Sequence, residues 1–75
     1  MTDRIKLLTD AYYANLRKAY LFGFLGSKAG TQEAINAAFK IQNEYANTPE
    51  EQQALIAARE RVYDEMFPSV KKGKT

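Results

Sequence analysis

Residues 11–26 read AYYANLRKAYLFGFLG and hold five of the nine aromatic residues in the chain. Apolar residues in and before this segment recur every three or four positions, the spacing that places side chains on one face of a helix. The pattern predicts a long amphipathic helix over residues 3–25, ended by Gly26. Its first face contains Ile5, Leu8, Tyr12, Leu16, Ala19 and Gly23.

The same helix carries a second apolar stripe on nearly the opposite side. The second stripe contains Leu7, Ala11, Ala14, Leu21 and Leu25. Two arrangements account for it: other helices cover both apolar sides, or the stripe stays exposed as a dimer seam or docking surface. Small chains without disulfides often gain stability by self-association. We therefore take these five residues as the candidate self-association site of a homo-oligomer.

Two shorter amphipathic helices are predicted downstream. Residues 27–30 read as a linker, and Thr31 is the expected N-cap of a helix over residues 32–46. The segment TPEE, residues 48–51, is a capping box with Pro49 at the first helical position. It begins a helix over residues 49–67, which ends before Pro68. Residues 68–75 read as a flexible basic tail.

These helices predict the fold class. There is no strand-like alternation, no internal repeat and no low-complexity block in the sequence. Three amphipathic helices with short connections are typical of a helix bundle. We expect an all-α fold, a small three-helix bundle in a single domain of residues 1–67, which dimerisation can complete.

The composition argues against catalysis. The chain has neither cysteine nor histidine. Their absence removes disulfides, thiolate and imidazole metal ligands, and the nucleophilic pairs that depend on histidine. The acidic residues lie mainly in first helical turns or on polar sides, and no spacing selects a pair of them. We expect no enzyme activity, no catalytic residues, no cofactor and no metal site.

The charge distribution indicates the kind of partner. The net charge is +2, and the three lysines after residue 68 exceed it, so residues 1–67 are slightly acidic. A nucleic-acid binder usually carries a basic face on its folded body. The longest apolar run, residues 19–25, is shorter than the ~20 residues that span a membrane. We expect a cytoplasmic protein that does not associate with membranes, with nucleic acid only as an alternative partner.

A row of aromatic and basic residues flanks the first face of the long helix. This aromatic–basic row contains Lys6, Tyr13, Arg17, Tyr20 and Phe24. Tyrosine and arginine are favoured at protein interfaces because they combine a large contact area with a polar group. The row is therefore a candidate partner-binding surface. In the alternative interpretation, Tyr20 and Phe24 border the core while Lys6 and Arg17 are merely solvated.

Arg59 is predicted to lie within the apolar side of the third helix. An unpaired buried guanidinium is costly, so it must find a partner or reach water. One interpretation pairs it inside the protein with an acid such as Asp10 or Glu44. The other places Arg59 and Gln52 in a polar notch that receives a carboxylate or phosphate from a partner.

Together these features predict a small protein–protein interaction module that acts through helix faces. It would work as an adaptor, inhibitor or accessory factor, of the kind found in bacteria and their phages. The alternative is a nucleic-acid-associated regulatory protein that uses the aromatic–basic row and the lysine tail. The two differ in salt dependence, because nucleic-acid affinity falls steeply with salt.

Overall fold

A computed structural model describes residues 3–68, which form three helices. Helix α1 spans Asp3–Phe24, α2 spans Lys28–Lys40 and continues as a π-helical turn over Ile41–Tyr45, and α3 spans Pro49–Met66. The all-α three-helix prediction is confirmed, and α1 continues without a break through Gly23. The predicted basic tail, apart from Pro68, lies outside the described residues. Among residues 3–68, no helix is both long enough and apolar enough to cross a membrane.

Helix α1 is the central element, because α2 and α3 both pack on it while scarcely approaching each other. α2 returns antiparallel to α1, and α3 then runs in the same direction as α1. Arg4 therefore bonds to Glu51 at one end of the fold, and Phe24 packs on Phe67 at the other. The Cα trace measures 35 × 33 × 16 Å, so the bundle is a flat slab.

The core lies around Tyr12 of α1, on which residues of α2 and α3 pack. Tyr12 and Leu55 are 2% and 1% exposed and pack with three alanines: Ala38, Ala46 and Ala58. The hydroxyl of Tyr12 donates a hydrogen bond to Oε1 of Gln42 at 3.0 Å. The predicted first face of α1 supplies this core, since Leu8 and Leu16 pack against the same cluster.

The prediction for the start of the second helix is wrong. Residues 27–30 are not a linker, and Ser27 rather than Thr31 caps the helix. The Ser27 hydroxyl accepts a hydrogen bond from the Gly30 amide at 3.2 Å, while the Thr31 hydroxyl donates to the Ser27 carbonyl at 2.7 Å. Among residues 3–68, Gly26 is the only one at positive φ, +79°, and this left-handed conformation ends α1. The turn between α1 and α2 is therefore shorter than predicted.

The predicted capping box of α3 is confirmed and has a further function. The Thr48 hydroxyl accepts from the Glu51 amide at 3.1 Å, and the Glu51 carboxylate accepts from the Thr48 amide at 3.2 Å. The same carboxylate accepts from the Asn47 amide at 2.8 Å and from Nε of Arg4 at 2.6 Å. Glu51 is buried. It therefore joins the start of α3 to the start of α1.

The junction between α2 and α3 is closed by Gln52. The π-helical turn ends with the Ala46 amide bonded to the Ile41 carbonyl at 3.0 Å. Nε2 of Gln52 donates to the carbonyls of Gln42 at 2.9 Å and Ala46 at 2.7 Å. Carbonyls at a helix C-terminus lack partners within the helix. Gln52 supplies partners for two of them.

Replacement by alanine should have opposite effects on stability at two glycines that lie in helices. A Cβ on Gly23 would lie 4.0 Å from Oγ1 of Thr31, an ordinary contact, whereas a Cβ on Gly30 would lie 2.6 Å from Cγ of Phe22. We expect Gly23→Ala to raise the free energy of unfolding by up to about 1 kcal/mol through helix propensity. Gly30→Ala should lower it, because Phe22 must move. Urea denaturation measures both variants, and equal stabilisation of the two would show that Phe22 does not restrict position 30.

Candidate interaction surfaces

An apolar groove of about 510 Å³ opens between the second half of α1 and α2. Its α1 side is formed by Leu16, Ala19, Tyr20, Gly23 and Phe24, and its α2 side by Thr31, Ile35 and Phe39. Phe24 and Phe39 stand at its edges, 61% and 53% exposed. The groove begins beyond the Tyr12 core, along the half of α1 that leads towards Gly23.

An aromatic cluster joins this groove to the end of α3. The Phe67 ring makes edge contacts with Tyr20 and Phe24, at centroid distances of 5.3 and 5.9 Å, and a tilted contact with Tyr63 at 5.0 Å. Edge-to-face pairs at these distances are favourable beyond their buried area. The cluster fixes Tyr20 and Phe24, so one wall of the groove is held in place by α3.

Arg59 is exposed and lines a second surface pocket of about 330 Å³. Tyr20 lines this pocket as well as the groove, so the two openings are neighbours; the remaining lining residues are Glu60, Tyr63 and Asp64. Burial raises the pKa of the Tyr12 phenol, and the nearby Arg59 guanidinium opposes that rise. The interpretation of Arg59 as a buried ion pair is therefore not what the structure shows. Gln52 lies outside this pocket, committed to the α2–α3 junction.

Part of the aromatic–basic row contacts α3 within the protein. The Tyr13 hydroxyl and Nη1 of Arg17 both donate to Oε1 of Glu65, the latter at 3.1 Å. The Arg61 guanidinium stacks over the Tyr13 ring at 4.4 Å from its centroid. Surface ion pairs of this kind contribute little stability. They give Tyr13 and Arg17 partners within the protein, so Arg17 is not merely solvated, and a partner-binding function for these two residues stays a prediction.

The other members of the row have different surroundings. Tyr20 and Phe24 belong to the aromatic cluster and line the groove, while Lys6 is exposed. The predicted row is thus divided between an α1–α3 contact and the groove. A partner-binding function for Tyr20 and Phe24 stays a prediction, now attached to the groove.

The second stripe of α1 is exposed along its whole length. Leu7, Leu21 and Leu25 are 70%, 47% and 79% exposed, and Ala11 and Ala14 are exposed as well. The arrangement in which other helices cover both apolar sides of α1 is therefore wrong. Since α2 and α3 pack against the first face and its flanks, no helix of residues 3–68 is left to cover the stripe. Its use for self-association stays a prediction.

The sequence analysis missed the α2 wall of the groove and the contribution of Phe67. Helical spacing places Ile35 and Phe39 in one apolar row of α2, and Thr31 continues that row, but the spacing does not show that the row faces a groove. Across the described part of the chain, no three acidic side chains converge on a point that could hold a metal ion. The groove lining is mainly apolar, and the neighbouring pocket contains Arg59 together with the acidic residues Glu60 and Asp64.

No protein-family model, curated protein or solved structure matches this sequence.

Proposed function

We propose that the protein is a non-enzymatic interaction module that binds an amphipathic helix of a partner protein in the groove between α1 and α2. The observation that carries this proposal is the pair of exposed aromatic edges, Phe24 and Phe39, on an apolar groove of about 510 Å³. Exposed apolar concavities with polar surroundings usually mark interaction sites. The chain lacks cysteine, which suits a reducing compartment such as the cytoplasm.

A helix is the proposed occupant for two reasons: the surrounding backbone is helical, and small residues on α1 allow close approach. Residues 3–68 contain no strand, so they offer no sheet edge to which an extended peptide could add. The floor includes Ala19 and Gly23, whose small size lets another helix approach α1 closely. An amphipathic helix would insert residues at i, i+3, i+4 and i+7 between Phe24 and Phe39.

Arg59 is the basic residue of a pocket that also contains Glu60 and Asp64, and it is the group proposed to contact the partner. It is exposed beside Tyr20, at the margin of the groove, where a guanidinium can bind a carboxylate through two hydrogen bonds. We therefore propose that the partner helix bears an acidic residue next to its apolar face. Of the two residues of the predicted polar notch, Arg59 is then proposed to bind the partner, while Gln52 has a structural role.

Selection from a displayed library of helical peptides tests the proposal. We expect the selected peptides to share apolar residues at helical spacing and an acidic residue flanking them. Phe39→Ser should weaken their binding at least about tenfold, the size expected for an aromatic anchor. Leu25→Ser is the matched control, because Leu25 is more exposed than Phe39 and lies outside the groove; it should leave the affinity unchanged.

Two outcomes would argue against this function. Selected peptides that bind both variants equally well would place the contact elsewhere. Tight binding to an oligonucleotide that falls steeply between low and high salt would favour the nucleic-acid alternative, because it reports the release of counterions from phosphates.

A further inference from the structure

The second stripe of α1 has the spacing of a coiled-coil seam once Lys18 is included. Successive positions are four, three, four, three and four residues apart. They therefore form two interleaved sets of three positions, and each set repeats every seven residues. The six positions are Leu7, Ala11, Ala14, Lys18, Leu21 and Leu25. All six are exposed. A seven-residue repeat is the pattern with which one helix packs along another over several turns.

We propose that this seam binds the seam of a second copy of the chain, with the two α1 helices antiparallel. The occupant is a second copy because the seam is complementary to itself in this register. Leu7 then packs against the partner's Leu25, Ala11 against the partner's Leu21, and Ala14 against the partner's Lys18. Small residues face large ones in every central layer, which allows them to interdigitate.

Lys18 determines the direction of pairing. In a parallel pair each residue faces its own copy, so the two Lys18 ammonium groups would meet in the seam and repel each other. In the antiparallel register the Lys18 stem lies over the partner's Ala14, and its charged end can reach water. A single polar residue at a seam position is a known means of fixing the register of paired helices.

The size of the seam predicts a weak dimer. From residue 7 to residue 24, the end of α1, the helix advances ~26 Å, with Leu25 directly after it, and a helix is ~10 Å wide. Such a strip is small beside the ~800 Å² that each partner buries in a standard interface. We therefore expect exchange between monomer and dimer, with a dissociation constant of roughly 10 µM to 1 mM.

The proposed dimer leaves the grooves accessible. Ala14 in the seam and Gly23 in the groove are nine residues apart, which places them on opposite sides of α1. A dimer would thus present two grooves on its outer surfaces and gain avidity for a partner with two helices. The pairing of the seams does not depend on what occupies the groove.

Sedimentation equilibrium of the full chain and two variants tests the proposal. Lys18→Leu completes the apolar seam and should tighten dimerisation at least about tenfold, because two lysines leave the interface. Gln53→Leu adds an exposed leucine to α3 instead and should leave the mass distribution unchanged. A monomeric mass for both the native chain and Lys18→Leu up to about 1 mM would overturn the proposal.

Disulfide formation then tests the direction of pairing, because the native chain has no cysteine. Leu7→Cys and Leu25→Cys are made separately in the native background, so that Lys18 is retained. Antiparallel pairing brings these two positions together only across the dimer, so the mixed disulfide should dominate when the variants are combined. Cross-linking of each variant with itself alone would instead show parallel pairing, since residues ~27 Å apart cannot form a disulfide.

Discussion

Leu55→Ala should lower the free energy of unfolding by about 2–5 kcal/mol, the usual range for a fully buried leucine. Leu55 is 1% exposed and packs in the cluster around Tyr12. Three of its cluster neighbours are alanines, Ala38 and Ala58 on helices and Ala46 just after the π-helical turn, and an alanine side chain cannot move into the space that the leucine vacates. The cavity should therefore persist, which places the cost in the upper part of the range.

Urea denaturation followed by circular dichroism measures this effect. A chain of this length is expected to be stable by only about 4–11 kcal/mol, so the variant should lose a large share of its stability and unfold at a clearly lower urea concentration. Leu7→Ala is the matched control, because the same side chain is removed at a position that is 70% exposed. A loss of stability in Leu7→Ala equal to that in Leu55→Ala would mean that the Tyr12 cluster is not the core.

Glu51→Gln should lower the free energy of unfolding at neutral pH. It should also reduce the further loss of stability that occurs as the pH becomes acidic. Hydrogen bonds from the Asn47 amide and Arg4 hold the pKa of the Glu51 carboxyl below its usual range. The folded state therefore favours the carboxylate more than the unfolded chain does. Its contribution to stability is complete above the unfolded pKa, about 4.3, and is lost as the pH falls through the lowered pKa of the folded state.

Thermal unfolding between pH 7 and pH 3 checks this prediction. The native chain should lose stability below about pH 5, and Glu51→Gln should lose less, because its amide does not titrate. Glu50→Gln is the control: Glu50 lies in the same first turn of α3 but is exposed. It should remain close to the native chain at every pH. Parallel pH profiles for the native chain and Glu51→Gln would show that another group causes the acid sensitivity.

The helices could be predicted because their signals are local. The first face of α1 follows from its spacing, and the start of α3 follows from Thr48, Pro49 and Glu51 within four residues. The start of α2 was mispredicted because Ser27 and Thr31 can each cap a helix. The choice depends on Gly30, whose missing side chain makes room for Phe22 of α1. That contact is tertiary, and no local pattern contains it.

The interaction surfaces were only partly predictable for the same reason. The second stripe was identified from spacing alone, but its exposure depends on both neighbouring helices packing on the other side of α1. Tyr13 and Arg17 were grouped with Tyr20 and Phe24 because they share a flank of α1. In the structure, Tyr13 and Arg17 donate hydrogen bonds to Glu65 of α3, whereas Tyr20 and Phe24 line the groove. The division depends on the position of α3, which a helical repeat does not encode.

The groove between α1 and α2 is the proposed site for a partner helix. The most direct test is an amide chemical-shift map of isotope-labelled protein, titrated with the tightest helical peptide from the displayed library. We predict that the largest shifts occur at Gly23, Thr31 and Phe39, with Ala14 unaffected. Shifts centred on Ala14 and Leu21, with the groove amides unchanged, would contradict the account and assign helix binding to the outer side of α1.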